Sequence, residues 1–222
     1  MTNQQFIEKV GNAAVKWYKT YKILPSLTIA QAILESAWGK SGLAKQCHNY
    51  FGMKWVKGCG CGYKTYSTKE QRSDGTYYTV NAKFRKYSSL ENGIKGYYRF
   101  LSYKRYANLK GVTDYKKACE LIRKDGWATS LSYTKSLISL IERYKLDAYD
   151  KKVIKGKTVI VTVDKLNCRD KASKSGKVIE KFLKNTRLTL LEKTNDSWYK
   201  VEWVKDKKNV TGYCAAEYLK IT

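Results

Sequence analysis

The chain has 222 residues, 43% of them hydrophobic and 14% aromatic, with 44 Lys and Arg against 19 Asp and Glu for a formal charge of +25. That length and composition support real cores in one large domain or two small ones, and no run of about 18 apolar residues is present to cross a membrane. The positive excess is spread along the whole chain and points to a polyanionic partner, yet no helix-turn-helix, zinc-finger or RNA-binding signature accompanies it, so nucleic acid is not the expected partner.

The first residues, MTNQQFIEKVGNAAVKWYK, are polar and charged where a secretory signal would be apolar. Synthesis in the cytoplasm without a signal peptide is the expectation, with no membrane insertion. The next segment, Thr28 to Lys54, reads as a helix followed by an aromatic loop. Thr28 and Gln31 have capping-box spacing, Pro25 is read as stopping any earlier helix, and Gly39-Lys40 as the C-terminal stop. At about 100° per residue, Ile29, Ala30, Ile33 and Ala37 form a buried stripe with Leu34 at its edge, and Glu35 points away from it toward a cleft. The helix C-terminus, together with Trp38 and Leu34, is expected to raise the pKa of Glu35 and suit it to proton donation.

Cys47, His48, Cys59 and Cys61 do not have a standard zinc spacing, and His48 is the only histidine. Adjacent Cys47 and His48 do not have the geometry of a nucleophile and its base, and zinc amidases usually need more histidines, so a glycosidase is favoured over an amidase or peptidase, with no metal and no cofactor expected. The six cysteines are expected to be mostly free and partly buried. Lys64 to Tyr87 reads as a β-hairpin turning at Asp74-Gly75, with Tyr78, Val80, Ala82 and Phe84 alternating against Tyr77, Thr79, Asn81 and Lys83. Amphipathic helices follow at Leu90 to Leu101, Tyr115 to Arg123 and Tyr133 to Tyr144. A charged linker is expected at 151–157, and after it Thr158 to Val163, Arg187 to Glu192, Trp198 to Val204 and Val210 to Tyr213 are short β runs that indicate a small barrel.

The run ALESAWG followed by NYFGMK resembles the signature of peptidoglycan glucosaminidases of glycoside hydrolase family seventy-three, whose fold is lysozyme-like. The resemblance assigns the general acid to Glu35. It places a second carboxylate at Glu70, in Thr68-Lys69-Glu70, although the longer segment before Gly75 leaves Asp74 or a shifted register open. Gly126-Trp127-Ala128-Thr129-Ser130-Leu131-Ser132-Tyr133 is similar to a further motif, with Tyr133 at the place of a functional tyrosine and Ser130-Leu131 in place of Asp-Pro. Trp38, Asn49, Phe51 and Trp127 are the substrate contacts it implies.

Leu166 to Arg169, Ser197 to Val201, Gly212 to Cys214 and Tyr218-Leu219 resemble a bacterial SH3-like cell-wall-binding domain, with Cys168 and Cys214 as small core residues. The expected architecture is therefore α+β: a mainly helical catalytic domain with a hairpin lobe at 1–150, a linker at 151–157 and an all-β barrel at 158–222. The expected function is hydrolysis of the β-1,4 bond after N-acetylglucosamine in peptidoglycan by a monomer, in the manner of a phage endolysin. Two rivals are a lytic transglycosylase or muramidase on the same scaffold, and a non-enzymatic basic wall- or nucleic-acid-binding protein. Inverting, retaining and acetamido-assisted courses all remain open.

Overall fold

Helix α1 (Asn3–Tyr21) begins at a closed capping box, in which Thr2 and Gln5 each accept the other's backbone N–H. Its apolar face, with Phe6, Val10, Ala14 and Tyr18, is buried against α2 (Pro25–Ser36). The computed structural model describes residues 1–71 and 74–222, apart from the side chains of 69–71. Within it α2 starts three residues before the expected cap. Pro25, expected to end a helix, occupies the first turn of one, where its missing N–H leaves no hydrogen bond unmade.

Thr28 is consequently an interior residue, and its hydroxyl donates to Tyr98 Oη at 2.8 Å. The N-terminus of α2 is capped from far along the chain, because Asp150 Oδ1 accepts the Ser26 N–H at 2.8 Å. At the other end Ala37, Trp38 and Gly39 all have positive φ (48°, 63° and 72°) and turn the backbone sharply out of the helix. Ser36 secures that turn by donating to Ala32 O at 2.5 Å and accepting the Gly39 N–H at 2.8 Å. Ile29, Ala30 and Ile33 are buried as the periodicity requires, whereas Ala37, expected in the same stripe, is exposed because the helix has already ended.

Short α3 (Gly42–Cys47) leads to the aromatic loop and then to strands β1 (Gly62–Gln71) and β2 (Tyr77–Lys86), paired antiparallel from Gly62↔Lys86 to Gln71↔Tyr77. Asp74 holds the turn by accepting both the N–H and the hydroxyl of Thr76, at 2.9 and 2.7 Å. Helix α4 (Leu90–Leu101) buries Ile94, Tyr97, Tyr98 and Leu101, the face expected from its pattern. Its Gly93 and Gly96 let the chain press directly on the helix backbone: a Cβ at 93 would run into the carbonyl oxygen of His48, and one at 96 into the ring of Tyr87.

A 3₁₀ segment (Lys104–Leu109), α5 (Tyr115–Lys124) and α6 (Tyr133–Arg143) complete the helical domain. Helix α7 (Asp147–Ile154) covers much of the stretch expected to be a linker. Seven strands follow: β3 (Thr158–Val161), β4 (Lys165–Arg169), β5 (Val178–Leu183), β6 (Arg187–Lys193), β7 (Trp198–Lys205), β8 (Lys208–Ala215) and β9 (Leu219–Ile221). Their order, β5-β4-β8-β7-β6-β3-β9, is antiparallel throughout. Val159, Val161, Leu166, Leu190 and Val201 fill the interior with Cys168 and Cys214, both fully buried free thiols.

The two parts share one continuous core, since Val153 and Ile154 of α7 carry the helical core into the barrel. Polar contacts reinforce the junction. Gly156 N–H donates to Leu190 O at 2.6 Å, Leu190 N–H to Lys157 O at 2.8 Å, and Lys193 Nζ to Thr113 O at 2.7 Å. Among the described residues no helix is long and apolar enough to cross a membrane.

Candidate active site

Glu35 stands in the last turn of α2, exposed, on the wall of a cleft of about 530 Å³. Two donors converge on one of its oxygens. Tyr133, the first residue of α6, donates its hydroxyl to Oε1 at 2.7 Å, and Trp127 donates its indole N–H to the same atom at 3.0 Å. Both approach from the segment after α5, where Gly126 at φ 85° lets the chain turn back toward α2. Ser130 and Ser132 fix the entry to α6 through a 2.9 Å hydroxyl contact, and Leu131 projects into solvent at 84% exposure. The Ser-Leu pair thus does not disturb the placement of Tyr133.

Behind this lies a buried polar relay. Gln31 Nε2 donates to Tyr133 Oη at 3.0 Å, while Tyr97 Oη donates to Gln31 Oε1. Burial and the neighbouring Glu35 carboxylate push the Tyr133 phenol well above its ordinary value, and burial does the same for Tyr97. Both phenols therefore stay protonated at any working pH and remain donors.

Phe51 is 4% exposed and stacks on Tyr97 with ring centroids 3.9 Å apart, forming the floor of the cleft. Trp127 packs edge-on against Tyr97 and Phe100, at 5.6 and 5.8 Å. Aromatic surface of this kind presents flat apolar faces to a sugar ring. Among the described charged residues lining the cleft, Glu35 is the one acid, and Lys54, Arg85 and Arg105 are cations. Arg85 is 4% exposed and anchored, with Nε donating to Lys54 O at 3.1 Å.

Two expected substrate contacts have other surroundings. Trp38 packs edge-on against Tyr144 at 4.9 Å and Phe6 at 6.2 Å and is not among the residues walling the cleft, because the left-handed turn after Ser36 swings it to the core side. The indole beside Glu35 is that of Trp127. Asn49 is 1% exposed and shapes the loop: its Nδ2 donates to Met53 O and Arg85 O at 2.9 and 3.1 Å, and its Oδ1 accepts the Met53 N–H at 3.0 Å. The backbone of Glu70 pairs with Tyr78 on the hairpin, and its side chain lies outside the described residues.

Pattern reading missed Gln31, taken for a capping partner, and Tyr97, taken for packing. A signal existed for the first, since Gln31 and Glu35 are four apart and share one helix face. Cys47 Sγ contacts the Tyr66 hydroxyl at 3.7 Å, whereas Cys59 and Cys61 lie with their sulfurs 3.1 Å apart.

A helical domain with a hairpin lobe and one helix-borne glutamate in an aromatic cleft, followed by an SH3-like barrel, defines a lysozyme-like two-domain protein. Residues 11–146 match the glucosaminidase family, described as mannosyl-glycoprotein endo-beta-N-acetylglucosaminidase, and residues 164–220 match the bacterial SH3 domain. The chain belongs to the glucosaminidase family. It is 37% identical over 153 residues to exo-glucosaminidase LytG of Bacillus subtilis, covering 66% of this chain and 53% of that one, so it spans about half of that relative's length. The catalytic domain of the Listeria monocytogenes autolysin Auto superposes with a TM-score of 0.59 at 32% identity, covering 66% of this chain and 86% of that domain. A C-terminally truncated glycoside hydrolase domain of Salmonella typhimurium FlgJ superposes at 0.55 with 26% identity, covering 65% and 98%.

Proposed function

We propose that the chain hydrolyses the β-1,4 bond after N-acetylglucosamine in peptidoglycan, with Glu35 as the general acid and the barrel as a wall-binding module. The observation that carries this reading is the pair of donors on Glu35 Oε1. With Oε1 held by Tyr133 and Trp127, Oε2 is the oxygen left to deliver a proton to the glycosidic oxygen. As that proton leaves, negative charge grows on the carboxyl, and the two donors already aimed at it stabilise the charge without reorganisation.

Glu70, carried by the hairpin, is the proposed second carboxylate, steadying the oxocarbenium-like charge or activating water. Three cations around the cleft complement the carboxylates of the peptide stems that substituted glycan strands bear, and Phe51 and Trp127 supply stacking surface. The names of the relatives fit a glycan-strand substrate, and the bacterial SH3 match fits attachment to the wall.

Digestion of purified peptidoglycan, with borohydride reduction and mass spectrometry of the new ends, tests the reading. Reduced N-acetylglucosamine ends, produced by the wild type and lost in Glu35→Gln, are the expected result. N-acetylmuramic or anhydro ends would assign the bond to a muramidase or transglycosylase, and the absence of cleavage would leave only a binding protein.

A further inference from the structure

The Cys59-Gly60-Cys61 loop presents a pair of thiols that the glycosidase reading does not use. Its flanking Gly58 and central Gly60, at φ 84° and 73°, fold it so tightly that Cys59 Sγ and Cys61 Sγ lie 3.1 Å apart, inside ordinary sulfur contact. The other four cysteines are buried, whereas these two are partly exposed on the wall of a separate cavity of about 380 Å³.

That cavity is strongly basic. Lys86, Lys95 and Arg99 line it together with the amide of Asn92, and among the described residues lining it none is acidic. The Arg99 guanidinium sits over Gly60, where a Cβ would approach its Nη1 to 3.3 Å, so a cation is brought directly against the dithiol. Lys95 is held over the Trp17 ring at 4.6 Å. The loop is also fixed at its base, with Trp55 Nε1 donating to Cys61 O at 3.0 Å and Cys59 N–H to Val56 O at 3.2 Å.

We propose that this cavity is a thiol–disulfide exchange site for an anionic, carboxylate-bearing low-molecular-weight disulfide, with Cys59 as the attacking and Cys61 as the resolving sulfur. The two thiols are unequal in the way such a role needs. Burial raises Cys59, but its hydrogen bonds with Cys61 and the backbone at 61 and 56, together with Arg85, outweigh that and hold it below the ordinary thiol value. Burial, and then Cys59 itself, push Cys61 up to about 11.

The Cys59 thiolate attacks one sulfur of the disulfide, forming a mixed disulfide and expelling one thiolate. The Cys61 sulfur then attacks Cys59 Sγ, closing the 59–61 bond and expelling the second thiolate. The protons lost by Cys59 and Cys61 end on the two departing thiolates, so the protein is oxidised by two electrons and one disulfide is reduced to two thiols.

The test uses the full, reduced chain with oxidised glutathione as the anionic probe and cystamine as a cationic control. Expected are loss of two hydrogens with no retained adduct, a bond mapped to the Cys59–Cys61 peptide, and reaction about tenfold faster with glutathione disulfide than with cystamine at low salt. Cys61→Ser should trap the mixed disulfide at Cys59, and Lys95→Gln with Arg99→Gln should remove the glutathione preference by slowing the anionic probe relative to the cationic one, which those charges repel. A persistent adduct in the wild type, equal rates for the two probes, or modification mapped to Cys47, Cys119, Cys168 or Cys214 would overturn the proposal.

Discussion

Gln31 and Glu35 stand one turn apart on α2 and clasp the same phenol, Gln31 donating to Tyr133 Oη at 3.0 Å and Glu35 accepting from it at 2.7 Å. The hydroxyl of Tyr133 is thereby oriented by one side chain and spent on the other. Its proton has one productive direction, toward Oε1.

Glu35→Gln keeps an oxygen acceptor for Tyr133 and Trp127 but has no proton of suitable acidity to give. Turnover on peptidoglycan should fall by about 10³-fold or more with the melting temperature unchanged. Tyr133→Phe removes one of the two donors that stabilise the departing charge, so kcat should fall by roughly 10- to 100-fold with KM little altered. An equal loss in kcat and rise in KM for Tyr133→Phe would make this tyrosine a binding group instead.

Arg105 lines the cleft with its guanidinium close to the Tyr106 ring, at 5.5 Å, and beside Gly126. As an exposed cation on a rim it should matter for attraction more than for chemistry. Arg105→Gln should raise KM several-fold on peptide-bearing strands and leave peptide-free glycan almost unaffected. Matching changes on both substrates would show that the guanidinium packs against sugar.

Asp150 is buried, and its pKa is pushed up to about 7 by loss of hydration, against which the Ser26 bonds and Lys193 pull it down; Asp147 adds a further upward push. Its folded-state value lies above that of an unfolded aspartate, so the native state holds the extra proton between about pH 4 and 7. The stability it contributes is complete below that window and is lost as pH rises through it, a change on the order of 2 to 4 kcal/mol. Denaturation with urea at pH 5 and pH 8 should show the loss, and Asp150→Asn, which still accepts the Ser26 N–H, should flatten the slope.

Gly93 meets the His48 carbonyl across α4, and backbone cannot move aside as a side chain can. Gly93→Ala should cost about 1–3 kcal/mol by overpacking despite the better helix propensity of alanine. Thermal unfolding at unchanged or higher stability would mean that the aromatic loop yields.

Alternation and the Asp-Gly turn disclosed the hairpin, because a half-covered strand pair writes a period of two into its residues, and the helix from Leu90 to Leu101 was legible from its stripe. Glu35 was legible as the outward residue of an apolar helix. Trp38 and Trp127 were not distinguishable in the same way. Which indole reaches Glu35 depends on three consecutive left-handed residues after Ser36 and on a turn some 90 residues later, and neither leaves a periodic mark. Asn49 misled for a related reason, since a polar residue in an aromatic loop looks the same whether it meets a sugar or holds its own backbone. Pro25 was ambiguous in principle, as proline both follows helices and begins them.

The family match ends at residue 146, yet the cap on the helix that carries Glu35 comes from Asp150 on α7. A catalytic piece excised at the matched boundary would keep every residue of the cleft and lose the acceptor at the far end of α2, leaving the Ser26 N–H bare. A piece that keeps this cap must include Asp150, so the junction helix is a structural member of the domain that carries Glu35 even though it looks in the sequence like a tether.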